Sequence, residues 1–198
     1  MDFIDLMTRR VSSRVFTKEK ISEAELEQVL RAGEMAPVGS NEYRNIHLTV
    51  VQDAYILRRL AEAAVLRRKD RVNMAKLASS VSNAAEILNE SKTYDPFYNA
   101  PAVIFVSHRK QDLQPGIEWA NVSCLVSCMH LAATELGLGS CFMWFVLESM
   151  RLNPALDHTD LLCLPDDFEP LMGLALGHIA QPLQEREWDM NRLSVDYL

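Results

Sequence analysis

The stretch Arg9-Arg10-Val11-Ser12-Ser13-Arg14 places three guanidinium groups and two hydroxyls within six residues. Such a donor set has no place in a core and suits a dianionic ligand. In an extended segment Arg10, Ser12 and Arg14 share one side with period two, so two fork-shaped donors and a hydroxyl would surround one set of phosphate oxygens. In a helix Arg10 and Arg14 still share a face. Taken alone, the cluster also fits a solvated helix end carrying cations near its C-terminus.

The bulk composition sharpens the choice. The chain has 198 residues, is 48% hydrophobic and carries a net charge of -7. It has no composition break, which predicts one domain over residues 1–198 with a substantial core. An acidic chain argues against a nucleic-acid or anionic-membrane surface, so a locally basic cluster points to a small anionic ligand. The N-terminus lacks a basic segment followed by a long apolar run, which predicts no signal peptide and a cytoplasmic protein. Cys124 and Cys128 sit four apart in an apolar helical pattern and read as reduced core residues; with Cys141 and Cys163 they form no convincing metal-ligand spacing.

The elements that must position the cluster follow from periodicity. Phe3, Ile4, Leu6 and Met7 predict a helix over residues 2–9 that delivers the arginines at its end. Ser22 and Glu25 have capping-box spacing at the start of a helix over 22–34. Ala36-Pro37-Val38-Gly39-Ser40-Asn41 reads as a loop that brings backbone close to its surroundings. A strand over 46–51 follows, ending by Asp53. Residues 54–90 are helical in propensity, and their cations Arg58, Arg59, Arg67, Arg68, Lys69 and Arg71 read first as solvated surface. A landing area for a phosphorylated nicotinamide is the second reading.

Tyr94, Phe97 and Tyr98 interrupt that helix in a loop that either lines a pocket or covers the core. Residues 102–107 read as a strand covered on both faces. The run from 117 to 136 is a helix buried nearly all round, against a partner subunit in one reading, with His130 as a hydrogen-bonded core residue. Gly137-Leu138-Gly139-Ser140 ends that helix and feeds a strand over 141–146, and a last buried strand covers 170–179. Arg186 follows between Glu185 and Glu187.

In order and spacing these segments resemble the nitroreductase family of FMN-dependent oxidoreductases, from about residue 3 to about residue 187. Arg9-Arg10-x-Ser12-x-Arg14 is similar to the family's N-terminal phosphate and ribityl motif. Ala36 to Asn41 resembles a loop that reaches the flavin of the partner subunit. Gly137 to Cys141 resembles the run before the strand along the isoalloxazine, and Leu176-Gly177-His178 with Arg186 resembles the C-terminal phosphate contact. The chain departs from the family in having Tyr43-Arg44-Asn45 where Gln-Pro-Trp is common, and Val38 for a frequent Ser.

The resemblance implies an α+β fold: a mainly antiparallel central sheet flanked by helices, in an intertwined homodimer with FMN sites at the interface. It assigns Arg9, Arg10, Ser12, Arg14 and Arg186 to the phosphate end. Pro37, Val38, Gly39, Asn41, Phe142, Met143 and Trp144 go to the ring, and Tyr43, Tyr94, Phe97 and Tyr98 to the substrate walls. The implied activity is ping-pong hydride transfer from NADH or NADPH, through the flavin, to a nitroaromatic, quinone or similar small acceptor. No side-chain nucleophile or metal is required. Two other readings are a flavin-binding or sensing protein without efficient turnover and a non-flavin interaction protein that dimerises through the long helix.

Overall fold

The computed structural model describes residues 2–78, 94–112, 114–182 and 193–197. Four strands, β1 (Ile46–Val51), β2 (Ala102–Arg109), β3 (Leu138–Met143) and β4 (Phe168–His178), form one antiparallel sheet in the order β1-β2-β4-β3. Among the described residues five α-helices accompany it: α1 (Phe3–Arg9), α2 (Glu23–Glu34), α3 (Ala54–Ala78), α4 (Ile117–Glu135) and α5 (Phe145–Arg151).

Side-chain alternation on the central strands decides which helices lie on which face. Val103 and Phe105 of β2, Cys141 and Met143 of β3 and Ala175 of β4 pack with Leu57, Leu60 and Ala64 of α3 and Val146, Leu147 and Met150 of α5. Ala102, Ile104, Val106, Leu138, Leu174 and Leu176 point the other way, onto Val29 of α2 and Val122, Leu125, Val126 and Met129 of α4. Helices on both faces explain why residues 102–108 of β2 are buried without interruption.

Helix boundaries follow local chemistry. Ser22 caps α2 through the predicted reciprocal box: its hydroxyl accepts from Glu25 N–H at 3.2 Å, and Glu25 Oε2 accepts from Ser22 N–H at 2.9 Å. The Ser22 hydroxyl, donating to Glu25 Oε2 at 2.6 Å, and then the Ser22 amide hold the Glu25 carboxyl below its ordinary range. Gly137, at φ +74°, turns the chain out of α4 in the left-handed region that favours glycine.

The strand expected over 141–146 begins three residues earlier and stops at Met143. One glycine suffices for the turn, so Leu138 enters the sheet at once, opposite His178. Phe145 and Val146, though β-prone, belong to α5, because Val146, Leu147 and Met150 recur at helical spacing and are buried against α3. The predicted helix over 54–90 is described as far as Ala78, and its remainder lies outside the described residues.

Candidate functional site

After α1 the chain turns extended and runs along β3. Ser12 bridges Ser140 in parallel fashion, Ser13 N–H donates to Ser140 C=O at 2.9 Å, and Phe16 bridges Ile179. The approach is close: a Cβ at Gly139 would lie 2.6 Å from Ile179 Cγ2 and 2.8 Å from Ser13 Cβ. Only glycine lets the basic segment lie this near the strand.

The side chains of the segment divide into two groups. Arg10 Nη1 lies 2.9 Å from His130 Nε2 on α4, and His130 Nδ1 is hydrogen-bonded to Ser140 Oγ. Arg14 instead sits over the Tyr98 ring, 5.9 Å from its centroid. A hydrogen bond to Tyr98 and the nearby Cys141 sulfur raise the guanidinium pKa. Burial pushes the Cys141 thiol up, and Arg14 and the Ser12 hydroxyl partly offset that. Ser12 and Arg14 therefore share a neighbour that Arg10 does not. Arg9 is exposed at the end of α1.

At the other end of α4 lies the loop from Ala36 to Asn41. Gly39 N–H donates to Asn121 Oδ1 at 2.9 Å, Asn121 Nδ2 lies 3.1 Å from His108 Nε2, and His108 Nδ1 lies 2.6 Å from Arg109 C=O. A carbonyl only accepts, so His108 carries its proton on Nδ1 and receives Asn121 on Nε2. Ser40 and Asn41 sit at φ 54° and 59°, a sparsely populated region for residues with a Cβ. Pro37 and Asn41 are exposed, while Val38 packs partly against the α2/α4 core. Tyr43 donates its phenol to Ala36 C=O at 2.9 Å, bracing the loop on itself. A cleft of about 250 Å³ lies between Gly39–Asn45 and the first turn of α4.

The aromatic candidates separate by exposure. Phe142 is 36% exposed, with its ring edge-on to His130 at 5.9 Å, and Trp144, just before α5, is 45% exposed. Met143 is buried in the α3/α5 core, so its side chain is packing and not a ligand wall. Phe97 is likewise a core residue, edge-to-face with Phe105 at 6.1 Å. Tyr94 and Tyr98 do line a cleft, of about 280 Å³, together with Arg14. A larger cleft of about 830 Å³ opens between α3 and residues 94–101, and its wall is mostly apolar. Arg186 lies outside the described residues.

Several α3 cations are engaged. Arg59 pairs with Glu62 at 2.8 Å, Arg67 with Glu148, and Arg68 stacks over Tyr94 at 4.4 Å. Among the described residues, no group of three or more His, Cys, Asp and Glu side chains gathers to hold a metal ion. No described helix is long and apolar enough to cross a membrane.

Sequence reasoning passed over Asn121, His108 and Ser140 as functional residues and treated His130 as core alone. The signal available was a polar side chain inside an otherwise apolar element, at Asn121 and His130 of α4 and at His108 of β2.

An antiparallel sheet between two helical layers, edged by an arginine- and serine-rich segment with Phe142 exposed nearby, frames the candidate site. The Nitroreductase family model matches residues 7–178, and the chain belongs to that family. A nitroreductase with bound FMN from Bacteroides fragilis is 25% identical, with TM-score 0.76 over 100% of both chains. A nitroreductase with bound FMN from Desulfitobacterium hafniense shares 18% identity, with TM-score 0.77 over 98% of this chain and 97% of its own. A BluB-like flavoprotein from Clostridium difficile shares 17% identity, with TM-score 0.76 over 100% of this chain and 99% of its own. The last two establish likeness of fold. Among curated proteins none matches.

Proposed function

We propose that the protein is an FMN-dependent oxidoreductase that passes reducing equivalents from NADH or NADPH to a nitroaromatic, quinone or similar small acceptor. The observation that carries this reading is the donor-rich segment from Arg10 to Arg14, held against β3, with Arg10 on His130 and the exposed Phe142 ring edge-on to that same imidazole. Its chemistry fits the cofactor: cationic and hydroxyl donors for a phosphate, aromatic surface for a ring system. When bound, FMN supplies the hydride chemistry, accepting from the nicotinamide and delivering to an acceptor that takes the donor's place.

The protein's part is binding and orientation. Arg10 would hold the phosphate end, with Ser12 and Arg14, which turn toward Cys141 and Tyr98, as further donors along the segment and Arg186 as a sequence-assigned contact. Phe142 and Trp144 would border the ring, and Tyr94 and Tyr98 would wall the acceptor.

The reading includes a homodimer. The loop around Gly39 and the Arg10 contact are fastened to Asn121 and His130, about 14 Å apart along α4 by helix rise. That separation agrees with a site to which each chain contributes one end. Support also comes from apolar surface. Phe3, Ile4 and Met7 of α1 are 62%, 50% and 41% exposed, and α4 leaves Ala120, Cys124, Ser127, Cys128 and Leu131 at least partly open. A second copy covering this face would remove it from water.

The test is a flavin absorbance spectrum of the purified protein, followed by anaerobic addition of NADH and then NADPH. Bleaching of the flavin bands is expected, and the faster donor identifies the physiological one. Bands that persist with both donors would instead mark a flavin-binding protein without turnover. In the same assay Arg10→Ala with Arg14→Ala should lose FMN while remaining folded and dimeric; full flavin occupancy in that variant would remove the segment from the site.

A further inference from the structure

Contacts to the basic segment close into a ring around one imidazole. Arg10 Nη1 reaches His130 Nε2 at 2.9 Å, His130 Nδ1 meets Ser140 Oγ, and Ser140 C=O accepts Ser13 N–H at 2.9 Å. His130 is 2% exposed and Ser140 1%. A guanidinium has donors only, so His130 Nε2 must accept. The imidazole is then neutral, with its proton on Nδ1 directed at the serine hydroxyl. Thr134 Oγ1 donates to His130 C=O at 2.9 Å, and the Phe142 ring stands edge-on to the imidazole. Backbone and side chain of the segment are thereby tied to the same two residues, one on α4 and one on β3.

We infer that His130 is a positioning residue for anion recognition: as the Nδ1-protonated tautomer it holds the Arg10 guanidinium in place to receive the FMN phosphate. The inference rests on the flavin reading above. An unrestrained arginine gives up much rotamer freedom on binding, and one already held by a buried acceptor gives up less, which appears as affinity. His130 touches neither phosphate nor ring in this role. Its effect passes through Arg10 and therefore depends on a phosphate being present.

That dependence separates positioning from mere packing. Riboflavin has the ring and ribityl chain of FMN without the phosphate. The test is the dissociation constant of each flavin, by fluorescence quenching, for the wild type, His130→Ala, His130→Gln, Arg10→Ala and the Arg10→Ala, His130→Ala double variant. His130→Ala should weaken FMN about tenfold, as for loss of one charge-assisted hydrogen bond, and riboflavin less than about twofold. The double variant should bind FMN no worse than Arg10→Ala alone, and His130→Gln, which returns an acceptor, should recover part of the loss.

Parallel loss of both flavins in His130→Ala, or no loss of FMN, overturns the inference while leaving the flavin reading intact. A wild type that binds neither flavin overturns both. Should His130→Ala fail to fold, nitrogen NMR of the wild-type apoprotein decides. The Nδ1–H neutral signature is expected at neutral pH, and an Nε2–H or doubly protonated ring overturns the assignment.

Discussion

The two ends of α4 each engage a buried histidine in a hydrogen-bonded relay, yet they fix different things. Near the N-terminal end, His108 is oriented by the Arg109 carbonyl and works through Asn121 on the backbone amide of Gly39. Near the C-terminal end, His130 is oriented by the Ser140 hydroxyl and works directly on the side chain of Arg10. The first relay sets the shape of a loop and the second sets the place of a charge. One helix thus fastens a loop and a charged side chain through two embedded polar residues, Asn121 and His130, both at most 4% exposed.

The largest effect is expected where backbone approach is tightest. Gly139→Ala brings a Cβ within 2.8 Å of both Ile179 and Ser13, and the contacting Ile179 Cγ2 methyl is one arm of a stiff β-branched side chain. A loss of about 3 kcal/mol in chemical denaturation is expected, together with weakened FMN binding. A cost below about 1 kcal/mol would show that the segment moves aside and that the C-terminal end is the more pliant of the two.

Asn121→Ala strips Gly39 N–H and His108 Nε2 of their shared partner and should cost about 2 kcal/mol, as for buried polar groups left unpaired. Hydrogen exchange at the Gly39 amide should accelerate while exchange at the Ser13 amide stays unchanged. Acceleration at both would merge the two ends into one cooperative unit and remove the contrast.

The smallest effect is a reactivity. Cys141 lies under Ser12 and Arg14, and burial raises its thiol pKa above the value of an ordinary free thiol. A raised acid ionises later in the folded chain than in the unfolded one, so the thiol favours the folded state below the unfolded value and ceases to as pH climbs through the folded value. Alkylation of Cys141 should lag that of exposed Cys163 across mildly alkaline pH. Ser140→Ala should shorten the lag and Asn121→Ala leave it alone, which assigns the thiol to the C-terminal relay.

The strand and helix pattern was largely legible because periodicity and punctuation agree. The Ser22 box, the Gly137 exit and the unbroken run of β2 each need only local sequence. The end of β3 was not legible, since Phe145 and Val146 are β-prone and only contact with α3 draws them into a helix. At the site, residue types marked the Arg9–Arg14 segment, but partners 120 and 82 positions away, His130 for Arg10 and Asn121 for Gly39, are products of the fold. Met143 and Phe97 show the converse: both are buried, Met143 by strand alternation and Phe97 by a turn that packs it on Phe105.

The segment from Ser12 to Phe16 has a role apart from any ligand. By bridging Ser140 it covers the middle of the outer edge of β3, and by bridging Ile179 it is fastened just past the end of β4; without it that part of the edge would present open amides and carbonyls. An N-terminal truncation through Phe16 would uncover that edge, and the apolar Leu138–Met143 strand would then be a template for self-association. The expected readout is aggregation of the truncated chain under conditions where the full chain stays dispersed.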